Sequence, residues 1–116
     1  ENNAIESTIS MTINSSMNID KQIPSIYTLH QNYPNPFNPT TQIQYDLPEE
    51  KNVTIIIYDV MGRKIRSLMN TGQTAGFHSV RWDAKNDMGE GVAAGLYIYT
   101  IQAGEFRAMK KMVLLK

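Results

Sequence analysis

The run Val53 to Val60, VTIIIYDV, constrains the fold of this chain more than any other stretch. It is β-branched or aromatic at nearly every position and contains neither Pro nor Gly. In an extended strand Val53, Ile55 and Ile57 point to one face, and Thr54, Ile56, Tyr58 and Val60 to the other. Apolar residues on both faces predict a strand in the middle of a sheet, covered on both sides. Asp59-Val60-Met61-Gly62 then reads as a tight turn, with Asp able to cap its own backbone and Gly free to take a left-handed conformation. Arg63 to Leu68 returns as the second arm. The hairpin from Asn52 to Leu68 is thus a fold nucleus, and it carries no chemistry.

Further strands are expected on either side of it. Ser25 to Gln31 is a short one. Thr41 to Leu47 alternates cleanly, with Ile43, Tyr45 and Leu47 inward and Gln42, Gln44 and Asp46 outward. Phe77 to Trp82 places His78, Val80 and Trp82 on one face. Gly95 opens the strand Leu96 to Ala103, which aligns Tyr97, Tyr99 and Ile101, and Phe106 to Leu115 is the last. Between them lie a charged turn, Pro48 to Lys51, a flexible loop, Asn70 to Gly76, and the longest polar loop, Asp83 to Gly91. Seven strands at short spacing, with Gly- or Pro-marked turns and no helical period, predict an all-β, antiparallel, seven-stranded Ig-like β-sandwich over residues 25–116; a small barrel is the alternative.

The prolines at 34, 36 and 39 allow neither helix nor central strand across Asn32 to Thr40. This segment is expected to cross the sandwich as a rigid ribbon, pinned by Tyr33 and Phe37. Residues 1–24 are rich in Asn, Ser, Thr and Met and read as a linker or the tail of an upstream domain. Within them Thr8 to Ile13 alternates strictly, which fits either a strand or a linker. A start at Glu1 fits a fragment, and an export signal would then lie on a longer precursor.

Composition closes several routes. With no Cys among 116 residues, disulfides and thiolate metal sites are excluded. Eleven basic and eleven acidic residues give zero formal charge with no block of one sign, which argues against a nucleic-acid footprint. No apolar run approaches membrane-spanning length. Neither His30 nor His78 is spaced with a partner for zinc, or with a nucleophile and carboxylate for catalysis, so no enzyme is visible. His78 reads as packed or hydrogen-bonded and His30 as solvated. The Asp83 to Glu90 loop offers oxygen ligands around a Gly, as calcium takes, but it misses EF-hand spacing; a solvated turn is the plainer reading. Asn14-Ser15-Ser16 and Asn52-Val53-Thr54 fit the short glycosylation pattern. Tyr97 and Tyr99 fit either a sugar groove or a core.

The ribbon Gln31-Asn32-Tyr33-Pro34-Asn35-Pro36-Phe37-Asn38-Pro39-Thr40-Thr41 resembles the opening of a family of bacterial C-terminal sorting domains of the type IX, or Por, secretion system. Later matches keep the family's order: Tyr58-Asp59 with Gly62-Arg63, then Ala75-Gly76-Phe77-His78 with Trp82-Asp83. Gly95 with Tyr97 and Tyr99 follows, and Lys111-Met112-Val113-Leu114-Leu115-Lys116 closes the chain. A related Ig-like domain occurs in flagellar hook-capping proteins. The resemblance implies a non-catalytic sandwich without cofactors, at the end of a secreted cargo protein, recognised by the outer-membrane translocation machinery. In many members a sortase-like peptidase removes it at the cell surface, and the cargo is released or joined to a glycolipid. The residues implied as the sorting motif are Tyr33 to Pro39, Asp59, Gly62, Arg63, Gly95, Lys110, Lys111, Leu114, Leu115 and Lys116. A terminal strand with one open edge would give such a signal a physical basis, because its backbone can add to a partner sheet. An accessory module for carbohydrate binding or structural spacing is the competing expectation.

Overall fold

Val53, Ile55 and Ile57 are fully buried in β3 (Lys51–Asp59), which pairs with β4 (Lys64–Gln73) on one side and β6 (Gly95–Ala103) on the other. These assignments come from a computed structural model that describes residues 23–116. The expectations for residues 1–22, including the strand over Thr8 to Ile13, lie outside the described residues. β3 is central in its sheet, as its composition predicts. Only one of its faces is covered, however: Thr54, Ile56 and Tyr58 are half-buried, and Val60 in the following turn is exposed. The reason is local. Ile56 lies opposite Thr100 on β6 and Ser67 on β4, so its neighbours on the outer face are small polar groups and no second layer packs there.

β7 (Phe106–Leu114) completes a four-stranded sheet in the order β4-β3-β6-β7. A three-stranded sheet, β1 (Thr28–Leu29), β2 (Thr41–Leu47) and β5 (Gly76–Trp82), faces it in the order β1-β2-β5. All pairings between strands are antiparallel, and no helix occurs among the described residues. The two sheets stay separate, so the fold is the expected Ig-like sandwich and not the barrel. Its core is one cluster: Ile43, Tyr45, Leu47 and Trp82 from the smaller sheet meet Ile55, Ile57, Tyr97, Tyr99, Ile101, Met112 and Leu114 from the larger.

Two boundaries differ from expectation. The polar stretch after Leu68 is not a loop: β4 runs on to Gln73, opposite Lys51, and leaves only Thr74 and Ala75 as the turn. Backbone pairing with a strong partner overrides the low β-propensity of Asn70 and Gly72. β1 is two residues long, where the whole of Ser25 to Gln31 had been expected. Pairing along β2 is interrupted there and then resumes: His30 N–H donates to the Gln44 carbonyl at 3.0 Å, and Tyr33 and Gln42 exchange both backbone bonds at 2.9 Å.

Candidate functional site

The ribbon and the terminal strand, more than seventy residues apart in sequence, are bonded to one another. Phe37 N–H donates to the Val113 carbonyl at 3.0 Å, and Leu115 N–H donates to the Phe37 carbonyl at 2.8 Å. The Asn35 side-chain oxygen accepts Val113 N–H at 3.0 Å, and Gln31 Nε2 donates to the Lys111 carbonyl at 2.7 Å. The Phe37 ring, 2% exposed, closes the end of the core 5.8 Å from Trp82. Asn32 holds the base of the ribbon: its amide donates to the Pro34 carbonyl and to Thr41 Oγ1, and its backbone N–H donates to the Tyr99 hydroxyl at 2.8 Å.

Phe37 is therefore the anchor expected, but Tyr33 is not, because its side chain is 80% exposed. Tyr33 pairs directly with Gln42, and cross-strand partners share a face. Gln42 points outward in the alternation of β2, and the pairing that gives Tyr33 the same face is set by the fold, with no local signal in the sequence.

The expectation of an open edge on the terminal strand is also corrected. β7 is an edge strand, and the backbone groups of Lys111, Val113 and Leu115 do point away from β6. From the Lys111 carbonyl onward, however, the ribbon and Gln31 occupy them. Of the sorting-motif residues on this segment, Leu114 is core at 1% exposure, Lys110 is half-buried, and Lys111, Leu115 and Lys116 are exposed.

The Asp59 turn lies at the same end of the larger sheet, since Asp59 is opposite Tyr97 and Gly95 is opposite Leu114. Gly62 has φ +81° and its N–H donates to the Asp59 carbonyl, the left-handed turn position that its type predicts. Asp59 Oδ1 accepts the N–H groups of Met61 and Arg63, and Oδ2 accepts Arg63 Nε at 2.8 Å. The Arg63 backbone bond, aided by its side chain and by Met61, holds the Asp59 carboxyl below the usual range against a smaller opposing effect of burial. Exposed Val60, Met61 and Leu115 also sit at this end.

The polar loop has a task that its composition does not announce. Asp87 N–H donates to the Ile65 carbonyl, and Asp87 Oδ1 accepts Ser67 N–H, so the loop covers part of the outer edge of β4. Asn86 Oδ1 accepts Met88 N–H and Glu90 N–H. These oxygens face backbone donors, which is the geometry of a capped turn, and the described residues contain no group of three or more His, Asp or Glu able to hold a metal. His78 stacks on Tyr45 and bonds the Thr74 carbonyl at 2.7 Å, as a packed histidine. His30 is not simply solvated: its Nε2 lies 2.9 Å from Asp46 Oδ2. Ser79, on the same face, donates to Gln42. Tyr97 and Tyr99 are core and line no sugar groove.

Comparison with known proteins agrees with this architecture. The chain is similar to dimeric latent PorU of Porphyromonas gingivalis, at 19% identity over 89% of this chain and 10% of that one, with a TM-score of 0.62. It is similar to PorZ, a surface component of the type IX secretion system of the same organism, at 19% identity over 76% of this chain and 11% of that one, with a TM-score of 0.52. FlgD of P. aeruginosa matches at 22% identity over 68% of this chain and 67% of that one, with a TM-score of 0.52. At such identities the likeness is one of fold, and the chain spans about a tenth of the length of PorU and PorZ. No curated protein sequence matches the chain. The profile of the FlgD Ig-like domain matches residues 36–105, more than half of the sequence, and the chain therefore belongs to the FlgD Ig-like domain family.

Proposed function

We propose that this chain is a non-catalytic sorting domain that directs a secreted cargo through the outer membrane by type IX secretion and is removed or anchored at the cell surface. The observation that carries the reading is the bonding of Asn35 and Phe37 to Val113 and Leu115. The two segments most characteristic of the resemblance form one surface, with the Asp59–Arg63 turn at the same end of the sheet. A receptor meeting this end would read the exposed Leu115 and Lys116 beside the ribbon. The partners are the outer-membrane translocation machinery, a sortase-like peptidase and the upstream cargo on the same precursor.

The test is a fusion of residues 23–116 behind a passenger in a type IX-competent cell. The passenger is expected at the surface or in the medium, and its retention in the periplasm would refute the reading. Deleting Leu115 and Lys116 should block export while circular dichroism still shows a cooperatively melting β-domain. Normal export of the trimmed fusion would move recognition to the exposed face of Asn35 to Pro39.

A further inference from the structure

The molecule treats its sheet edges unequally. The ribbon covers β7 from Lys111 onward, and Asp87 covers β4 at Ile65 and Ser67. Among the described residues, the outer edge of β5 receives no such cover. Gln42 and Gln44 direct their backbone bonds toward Tyr33 and His30, so the intervening residues of β2 face β5. These pair Thr41 with Trp82, Ile43 with Val80 and Tyr45 with His78. It follows that Phe77, Ser79 and Arg81 turn their N–H and C=O groups away from β2, to solvent. Their side chains stand together on the outer face, with Phe77 63% exposed. The strand has no Pro, no Lys and no bulge to discourage pairing.

From this edge we infer that β5 pairs antiparallel with β5 of a second copy of this chain, about a two-fold axis at Ser79. Only in this register are all three outward residues of each copy paired with one another. Ser79 meets its own counterpart, and Phe77 meets Arg81 of the other copy on both sides of the axis. All three residues lie in the hydrogen-bonding phase, so each opposed pair exchanges both backbone bonds. Each guanidinium comes beside a phenyl ring, a favourable cation–π pair, and no two like charges are opposed. The half-buried His78 and Val80 would become cross-strand neighbours and lose further exposure. A shift by two residues opposes Phe77 to Ser79 or Ser79 to Arg81 and leaves one outward residue of each copy without its partner; a shift by four opposes Phe77 to Phe77 or Arg81 to Arg81. The inference does not depend on the export reading.

One edge pairing is a small contact, so a weak dimer is expected, with a Kd of roughly 0.1–1 mM. Sedimentation velocity of residues 23–116 should show dimer growing toward a concentration of about 1 mM. Ser79→Pro removes a donor that serves no bond within the described residues, so in residues 23–116 it should abolish the dimer and leave the melting temperature nearly unchanged. Phe77→Arg opposes two guanidiniums and should weaken the dimer at least about tenfold; this position is exposed, so folding is not at stake. The chain has no Cys, which makes register directly readable. Ser79→Cys should oxidise to a disulfide-linked dimer, because directly opposed Cα atoms lie about 5.5 Å apart. Arg81→Cys should not, because its two copies would be four residues out of register, about 14 Å. A wild-type chain that stays monomeric at the highest concentration, or equal cross-linking by the two variants, would overturn the inference.

Discussion

Tyr99 is the residue on which the two sheets and the ribbon depend together. Its ring is fully buried, and its hydroxyl accepts Asn32 N–H and donates to the His30 carbonyl at 2.7 Å. Burial pushes its pKa up to about 12, with the Asn32 bond acting in the opposite direction. The folded value lies above the ordinary tyrosine value near 10, so this contribution is intact below about pH 10 and is lost as pH rises toward 12. Tyr99→Phe should remove part of that alkaline loss; Tyr27, Tyr45 and Tyr97, whose pKa values are also raised, contribute to the rest. At neutral pH the same change should lower stability by about 1–3 kcal/mol, because it leaves the Asn32 N–H buried without an acceptor. Urea midpoints at pH 7 and at pH 11 check both claims, and an unaltered midpoint at pH 7 would mean that Asn32 finds another partner. At this scale the sequence was readable wherever a residue acts on its own backbone: Asp59 and Gly62 announce their turn by type and spacing. It was unreadable at His30, whose partner Asp46 comes from another strand, and at Tyr33, whose exposure is set by Gln42.

Among elements, the ribbon behaves as part of the core although it has no regular structure. Phe37→Ala should cost about 3–5 kcal/mol and Ile57→Ala about 2–5 kcal/mol, each losing transfer energy and leaving a cavity. Chemical denaturation should therefore show a loop substitution as damaging as one in the central strand. A midpoint unmoved by Phe37→Ala would mean that backbone bonds alone hold the ribbon. Strand identity was largely legible, because alternation in β2, β5 and β6 states which residues face inward. The ribbon was legible only in the negative: its prolines exclude helix and ladder, and nothing local names its partner. The end of β4 was missed for the same reason. Asn70 to Gln73 are extended because Lys51 to Thr54 lie beside them, and composition cannot report a neighbour.

At the level of the whole molecule, the pattern of edges should be visible in amide exchange of dilute, monomeric protein. The N–H groups of Val113 and Leu115, which a bare terminal strand would leave open, should exchange slowly, and those of Phe77, Ser79 and Arg81 quickly. Fast exchange at Val113 would show that the ribbon detaches in solution. The sandwich itself could be argued from strand count and turn spacing, but the order of strands could not, since that order depends on pairings made across long separations. One of those pairings has a mechanical consequence. The ribbon and the end of β7 meet as a parallel bridge, Phe37 beside Leu114. Traction on the two ends of the described chain would draw these parallel segments in opposite directions along their length. Their bonds, with the Phe37 ring wedged beside them, would be loaded together in shear, where a peeling geometry would load them one at a time. A load carried across the described residues would thus be shared by all of these bonds before any one of them gave way.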